Sequence, residues 1–385
     1  MQNKTVNIVW FKRDLRLSDH RPLKEAVVSD LPVILLFLFE PLLMSNLHNS
    51  DRHWRFVWQS LVEMKKKLKT SGHELLIANM EAEPCFAKIR EQFDIQTIYS
   101  HEETGIEVTY KRDKRVAIWC EENGIEWKEF PTNGIHRGLM HRDGWRKKWN
   151  ARMNEPLHEP DLKALQTIVP DKREGWEFEE ALSSEIRSEN GYFQKGGESL
   201  AWDTLNSFLF ERSADYSSSI SAPGPARSGC SRMSPFITWG NISIKQIVQH
   251  IKNNYDDVAS KRGVRSFKSR LGWHCHFIQK FESEPRIEFE NMNRGYDDIR
   301  QEKDQEKLQA WKNGKTGFPM VDACMRSVIK TGYLNFRMRA MLVSFLTHHL
   351  WLNWRDGAPH LARQFLDFEP GIHTHSFRCR RARWG

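Results

Sequence analysis

None of the six cysteines (Cys85, Cys120, Cys230, Cys275, Cys324, Cys379) stands in a C-x-x-C pair. That spacing excludes a zinc ribbon or a thioredoxin-like redox motif, and reduced thiols in a cytoplasmic setting are the expectation. Long apolar runs are missing as well. The most hydrophobic stretch, Leu31 to Leu43, is too short to cross a bilayer and reads as a buried strand with its flanks. The opening Met1 to Thr5 carries no apolar signal stretch, and no membrane role is expected. No G-x-G-x-x-G follows the first apolar run, so an ordinary nicotinamide dinucleotide domain is excluded. Tyrosine is scarce, 7 residues against 15 Trp and 22 Phe. Such rings are core material first, with a few left to stack on a flat cofactor or base. Acidic residues fall short of basic ones, leaving a net charge of +8, which mildly favours a polyanionic partner.

What is present is enough chain for two cores, 385 residues. Over residues 1–130 short apolar runs (Val6 to Phe11, Pro32 to Phe39, Glu74 to Ala78, Ile95 to Tyr99, Ile125 to Phe130) alternate with helical patterns (Asp51 to Lys69, Glu83 to Phe93, Glu107 to Glu122). That alternation predicts an α/β domain, a doubly wound parallel sheet. Residues 131–198 lose the pattern and read as a long connector lying over both domains. From 199 to 373 helical periods dominate, predicting an all-α C-terminal domain. Within it Asn335 to Trp354 is apolar on nearly every side and is expected to be the central buried helix.

Four blocks carry chemistry. The first is Val9-Trp10-Phe11-Lys12-Arg13-Asp14-Leu15-Arg16-Leu17-Ser18-Asp19-His20, a strand ending in charges. The second is Cys230-Ser231-Arg232-Met233-Ser234-Pro235-Phe236, where hydroxyls, a guanidinium and free N–H groups ahead of a helix suit a diphosphate. Taken alone, Ser234 could be an ordinary helix cap. The third is Arg265-Ser266-Phe267-Lys268-Ser269-Arg270-Leu271-Gly272-Trp273, basic residues beside a tryptophan that in isolation would be core. The fourth runs from Leu308 through Gly317-Phe318-Pro319 to Thr331-Gly332-Tyr333-Leu334-Asn335-Phe336-Arg337-Met338-Arg339. Its Gly314-Lys315-Thr316 lacks the upstream glycine of a phosphate loop. Successive His274, Cys275 and His276 point in different directions on a helix, so no metal site is expected.

These blocks together resemble the DNA photolyase/cryptochrome family, from Val6 to about His373. The resemblance implies an FAD-binding helical domain with cofactor contacts from Tyr216, Cys230, Ser231, Arg232, Met233 and Ser234, and from Arg339, Asp367, Phe368 and Glu369. It implies a lesion-stacking role for Trp273, DNA contacts from Lys268 and Arg270, and an Arg339–Asp367 ion pair beside the flavin. A reduced flavin carries negative charge that a fixed guanidinium stabilises. Trp354 and Trp311 match aromatic positions near the flavin, with an electron-relay role for Trp354 and core packing as the alternative. A second, antenna chromophore of folate or deazaflavin type belongs to the N-terminal domain of such proteins.

The implied activity is that of a deoxyribodipyrimidine photo-lyase, a monomer acting on damaged DNA. The alternatives are a cryptochrome-type blue-light receptor and an inactive copy. Two departures matter. Arg270 stands where members that repair cyclobutane dimers carry a glutamate, which leaves the lesion type open. Residues 374–385, rich in arginine, do not resemble an intact family C-terminus; a one-base shift of reading frame would account for them, with a basic DNA-binding tail as the alternative.

Overall fold

The computed structural model describes residues 3–139, 141–171, 176, 182–299 and 303–376. The tail beyond 376, with Cys379, and the connector positions 172–175 and 177–181 lie outside the described residues.

Five parallel strands form one sheet in the order β3-β2-β1-β4-β5, where β1 is Lys4–Phe11, β2 Val33–Leu38, β3 Leu75–Ala78, β4 Phe93–His101 and β5 Glu126–Phe130. β1 and β2 are apolar almost without interruption because both faces of the sheet are covered. One face packs Ile8, Trp10, Ile34 and Leu36 against Cys85, Phe86 and Ile89 of the helix Ala82–Arg90 and Val116 of the helix Glu107–Glu122. The other packs Val9, Phe11, Leu35 and Phe37 against Trp54, Phe56 and Leu61 of the helix Asp51–Thr70. That second core does not stop at the sheet. It runs on through Leu205, Phe208, Phe236 and Trp239 of the helical half. Strand order reverses at β1, where β2 leads one way and β4 the other, and such a switch point opens a crevice beyond the carboxyl ends of the strands.

The connector is more ordered than its composition foretells. It holds a helix, Trp145–Asn154, which buries Trp145, Trp149 and Met153 at helical spacing. It then runs beside β2, where Val33 bonds Gln166 and Ile168 at 2.8 and 3.1 Å. The helical half contains Glu198–Phe210, Ser234–Thr238, Ile244–Asn253, Lys261–Ser283, Gln305–Lys312, Pro319–Thr331, Trp354–Gln364 and Pro370–Ser376.

Asn335 to Trp354 departs from its expectation as one central buried helix. The α-helix covers only Phe336–Ser344, passes into a π-helical turn at Phe345–His349 and ends in a loop whose Trp351 has φ of +57°. Leu342, Val343 and Leu346 are buried, but Met338 and Met341 are only half-buried and Phe336 is exposed.

Candidate functional site

The charged end of β1 is a clasp between the two halves. The Arg13 guanidinium donates to the Glu369 carboxylate at 2.8 Å and to the Thr238 carbonyl at 3.1 Å. Arg16 donates to the carbonyls of Gly240 and Asp19. Asp19 pairs with Lys245 at 2.8 Å and accepts from Ser243 at 2.7 Å, and the Leu15 N–H meets the Trp239 carbonyl. Arg13 and Glu369 are 356 positions apart in sequence, so only the folded chain reveals the role of this block.

Behind the clasp lies the Cys230–Ser234 loop. Arg232 is held with φ of +63°, an uncommon conformation for a non-glycine residue. Gln194 fixes it, donating to its carbonyl at 2.9 Å, while the Arg232 guanidinium lies 3.5 Å from the ring centre of Tyr333. Its Nη1 is buried with no partner. An inaccessible, unpaired guanidinium nitrogen is costly unless an anion meets it. Ser231 Oγ accepts from the Met233 N–H, and Cys230 and Met233 are buried. Tyr216 packs edge-on to Phe208 at 5.3 Å, with its hydroxyl pushed up by burial. Gly229 is required here, since a Cβ would lie 2.2 Å from Ser219 Oγ.

Arg339 faces this loop's end. Its Nη2 reaches both Asp367 oxygens, at 2.8 and 2.7 Å, and its Nε donates to the Leu334 carbonyl at 3.0 Å. Burial would raise the Asp367 carboxyl, but Arg339 and a Ser234 hydrogen bond outweigh it and the group lies below the usual range. Ser234 thereby joins the second block to the fourth. Phe368 and Glu369 turn the other way, toward the clasp. Phe368 stacks on His48 at 5.5 Å, and burial pushes the Glu369 carboxyl up to about 7 despite Arg13. His274, missed as a site residue, has both ring nitrogens buried and unpartnered and is kept neutral by burial, which lowers it to about 4. Arg13 and Asp367 are its charged neighbours.

Trp273 projects from the helix Lys261–Ser283 with 49% of its surface exposed, touching His276 and Phe277. Arg270 is exposed and Lys268 half-buried on the same helix. A core role for Trp273 is therefore excluded. Trp354 is half-buried, its Nε1 donating to Asn291 at 2.8 Å. Trp311 is wholly buried with its N–H on the Leu342 carbonyl, a packing residue. The Gly314–Thr316 turn binds its own carboxylate: Asp322 accepts from the Thr316 N–H and hydroxyl at 2.8 and 2.7 Å, filling the place an anion would take.

Two clusters escaped the sequence reading because their members are far apart in the chain. At the sheet edge Arg112 pairs with Glu40, Glu103 and Asp113, each at 2.7 Å, above the Trp10 ring. The crevice over them, about 50 Å³, is closed from the helical side by Trp239 and Phe368. Burial pushes Glu40 up to about 7. The other cluster is Asp14, His20 and His101, the one trio of metal-ligating types grouped among the described residues. His20 Nδ1 accepts from the Leu23 N–H, so the ring proton sits on Nε2 and points at Asp14, 2.9 Å away. His101 Nδ1 lies 2.7 Å from the same oxygen. With its metal-facing nitrogen protonated, the trio is a hydrogen-bonded cluster rather than an ion site.

Comparison with known proteins agrees with this geometry. Residues 7–161 match the family model of DNA photolyase, and residues 267–380 match the FAD binding domain of DNA photolyase. A deoxyribodipyrimidine photo-lyase of Alkalihalophilus pseudofirmus is 26% identical over 95% of this chain and 78% of its own length. A cryptochrome DASH of Synechocystis sp. is 26% identical over 94% of this chain and 78% of its own. Among solved structures, a Synechocystis cryptochrome superposes with a TM-score of 0.84 at 22% identity, over 98% of this chain and 82% of that one. An archaeal photolyase of Sulfolobus tokodaii, described with two FAD molecules, gives 0.78 at 26% identity over 97% and 82%. With an α/β half that matches the DNA photolyase model, a helical half that matches its FAD binding domain and relatives of both names, the chain belongs to the photolyase/cryptochrome family.

Proposed function

We propose that this chain is a light-driven DNA-repair enzyme that splits pyrimidine dimers by electron transfer from reduced FAD. The observation that carries the reading is Trp273: a half-exposed ring on a helix whose Arg265, Lys268 and Arg270 have no acidic partner among the described residues. A base flipped from the stack needs a flat apolar surface, and its phosphates need cations beside it. Reduced FAD, when bound, supplies the light-excited electron. The residues present fit that group. Ser231 and the unpaired Arg232 nitrogen form a cradle for its diphosphate, Ser234 steadies Asp367 behind it, and Arg339, fixed by Asp367, offers a positive charge to the anionic ring. Trp354 is the relay candidate for returning electrons to the flavin from outside.

A light-harvesting antenna of folate or deazaflavin type is compatible with the family, and the Sulfolobus relative is described as implicating a novel light-harvesting cofactor. The sheet-edge crevice would admit such a ring only with movement of the side chains that narrow it to about 50 Å³. The test is direct: purified protein is examined for flavin absorbance and then illuminated with blue light in the presence of a dimer-containing oligonucleotide. Flavin with repair supports the proposal; no flavin refutes it. Flavin without repair supports the second reading, a cryptochrome-type receptor, which relatives named cryptochrome DASH favour.

A further inference from the structure

We infer that the connector helix Trp145–Asn154 is a second DNA-backbone surface, gripping the duplex beside the lesion. The inference rests on the repair reading above and extends its contact face to residues no motif marks.

The helix is anchored in a fixed position. Trp145, Trp149 and Met153 are buried, and Trp145 meets the His276 ring at 5.5 Å while His276 meets Trp273 at 5.8 Å. Arg146 lies along the Trp149 ring at 4.6 Å and its Nη1 occupies the space above Gly272, 2.0 Å from where a Cβ would stand. One residue links the two helices at each end of this seam, so the connector helix is held beside Trp273.

Exposed cations stand on this helix and in the turn before it, with one exposed acid, Asp143, between Arg142 and the helix. Arg142, Arg146, Lys147 and Lys148 are exposed and have no ion-pair partner among the described residues. Elsewhere some exposed cations are paired, Lys111 with Glu107, Lys67 with Glu63, Lys307 with Asp304 and Arg115 with Glu83, while single ones such as Lys66 and Lys114 are not; what sets this helix apart is that its unpaired cations lie together beside Trp273. On the neighbouring helix no acid occurs between Lys261 and Phe281, and Arg262, Arg265, Lys268 and Arg270 are likewise unpaired. Two adjacent helices with unpaired cations flanking one exposed indole fit a duplex, whose charges are spaced regularly along a line. A small anion would need far fewer.

The test substitutes Arg142→Gln, Lys147→Gln and Lys148→Gln together, leaving Arg146 in its packed place. Binding to a long dimer-containing duplex and to a trinucleotide bearing the same dimer is measured against salt. Because each phosphate contact contributes about 0.9 to the slope of log K on log salt, the slope on the duplex should fall by about 2 to 3. The trinucleotide, too short to reach the connector, should bind as before. An unchanged duplex slope overturns the inference, and so does tighter binding of polyglutamate-bearing peptide than of duplex DNA. An unaltered melting temperature checks folding, and the charge reversals Lys147→Glu and Lys148→Glu should lower duplex affinity more than tenfold. If the wild type binds duplex with a slope these changes reduce but shows no preference for dimers, the inference stands and the repair reading falls.

Discussion

Gly240 meets Arg13 backbone to backbone: a Cβ on Gly240 would lie 2.2 Å from the Arg13 carbonyl oxygen, and φ at Gly240 is +71°. Both the conformation and the space forbid a side chain. Gly240→Ala should therefore lower the unfolding free energy by about 3 kcal/mol, seen as an earlier midpoint in urea with both halves affected together.

Asp367 and Arg339 form a buried pair, and removing one partner strands the other. Asp367→Ala is expected to cost about 3–5 kcal/mol and to leave a largely flavin-free protein on purification. Arg339→Lys keeps a charge but loses the Nε bond to Leu334, so it should retain flavin with at least tenfold weaker affinity, read by fluorescence on dilution.

The pH dependence should follow Glu369. Its folded-state value of about 7 stands above the ordinary carboxyl value of 4.5, so the folded chain holds a proton that the unfolded chain has released. The resulting stability is complete below about pH 4.5 and is lost as pH rises through 7. Glu369→Gln should melt with less change between pH 5.5 and 8.5, by up to about 2 kcal/mol, because the amide keeps an acceptor for Arg13 and has no charge to gain.

Trp273→Ala should barely alter stability, since half of the ring is already in solvent. Affinity for dimer-containing DNA should drop by about 1–3 kcal/mol, roughly 5- to 150-fold. Equal binding by the variant in a filter or anisotropy assay would remove Trp273 from the contact face.

Much of the fold was legible because period and burial coincide. The helix Glu107–Glu122 was read to the residue, and β1 and β2 fell out of apolar runs that are buried on both faces. The connector helix was not legible: its apolar pattern is three residues, Trp145, Trp149 and Met153, drowned by Arg146, Lys147 and Lys148. Asn335 to Trp354 misled for the opposite reason. Its apolar residues exceed what one helix face can bury, and a π-helical turn at Phe345–His349 redistributes them.

The site was legible as motifs but not as geometry. Ser234, Arg232, Arg339 and Asp367 were identified by resemblance, yet the Ser234 bond to Asp367 and the Tyr333 ring under Arg232 join residues that spacing cannot relate. The same holds for Asp14 and His101, 87 positions apart and 2.7 Å from contact atom to contact atom. His274 gave no signal, because an imidazole without partners looks like any other histidine in a helix.

The apolar interior that passes from Phe37 and Trp54 through Trp239 to Phe208 has a practical corollary. Cutting the chain after β5 would bare a wide greasy wall on each fragment, so neither half is a transplantable module. Expressed apart they should precipitate, and mixed before refolding they should recover each other.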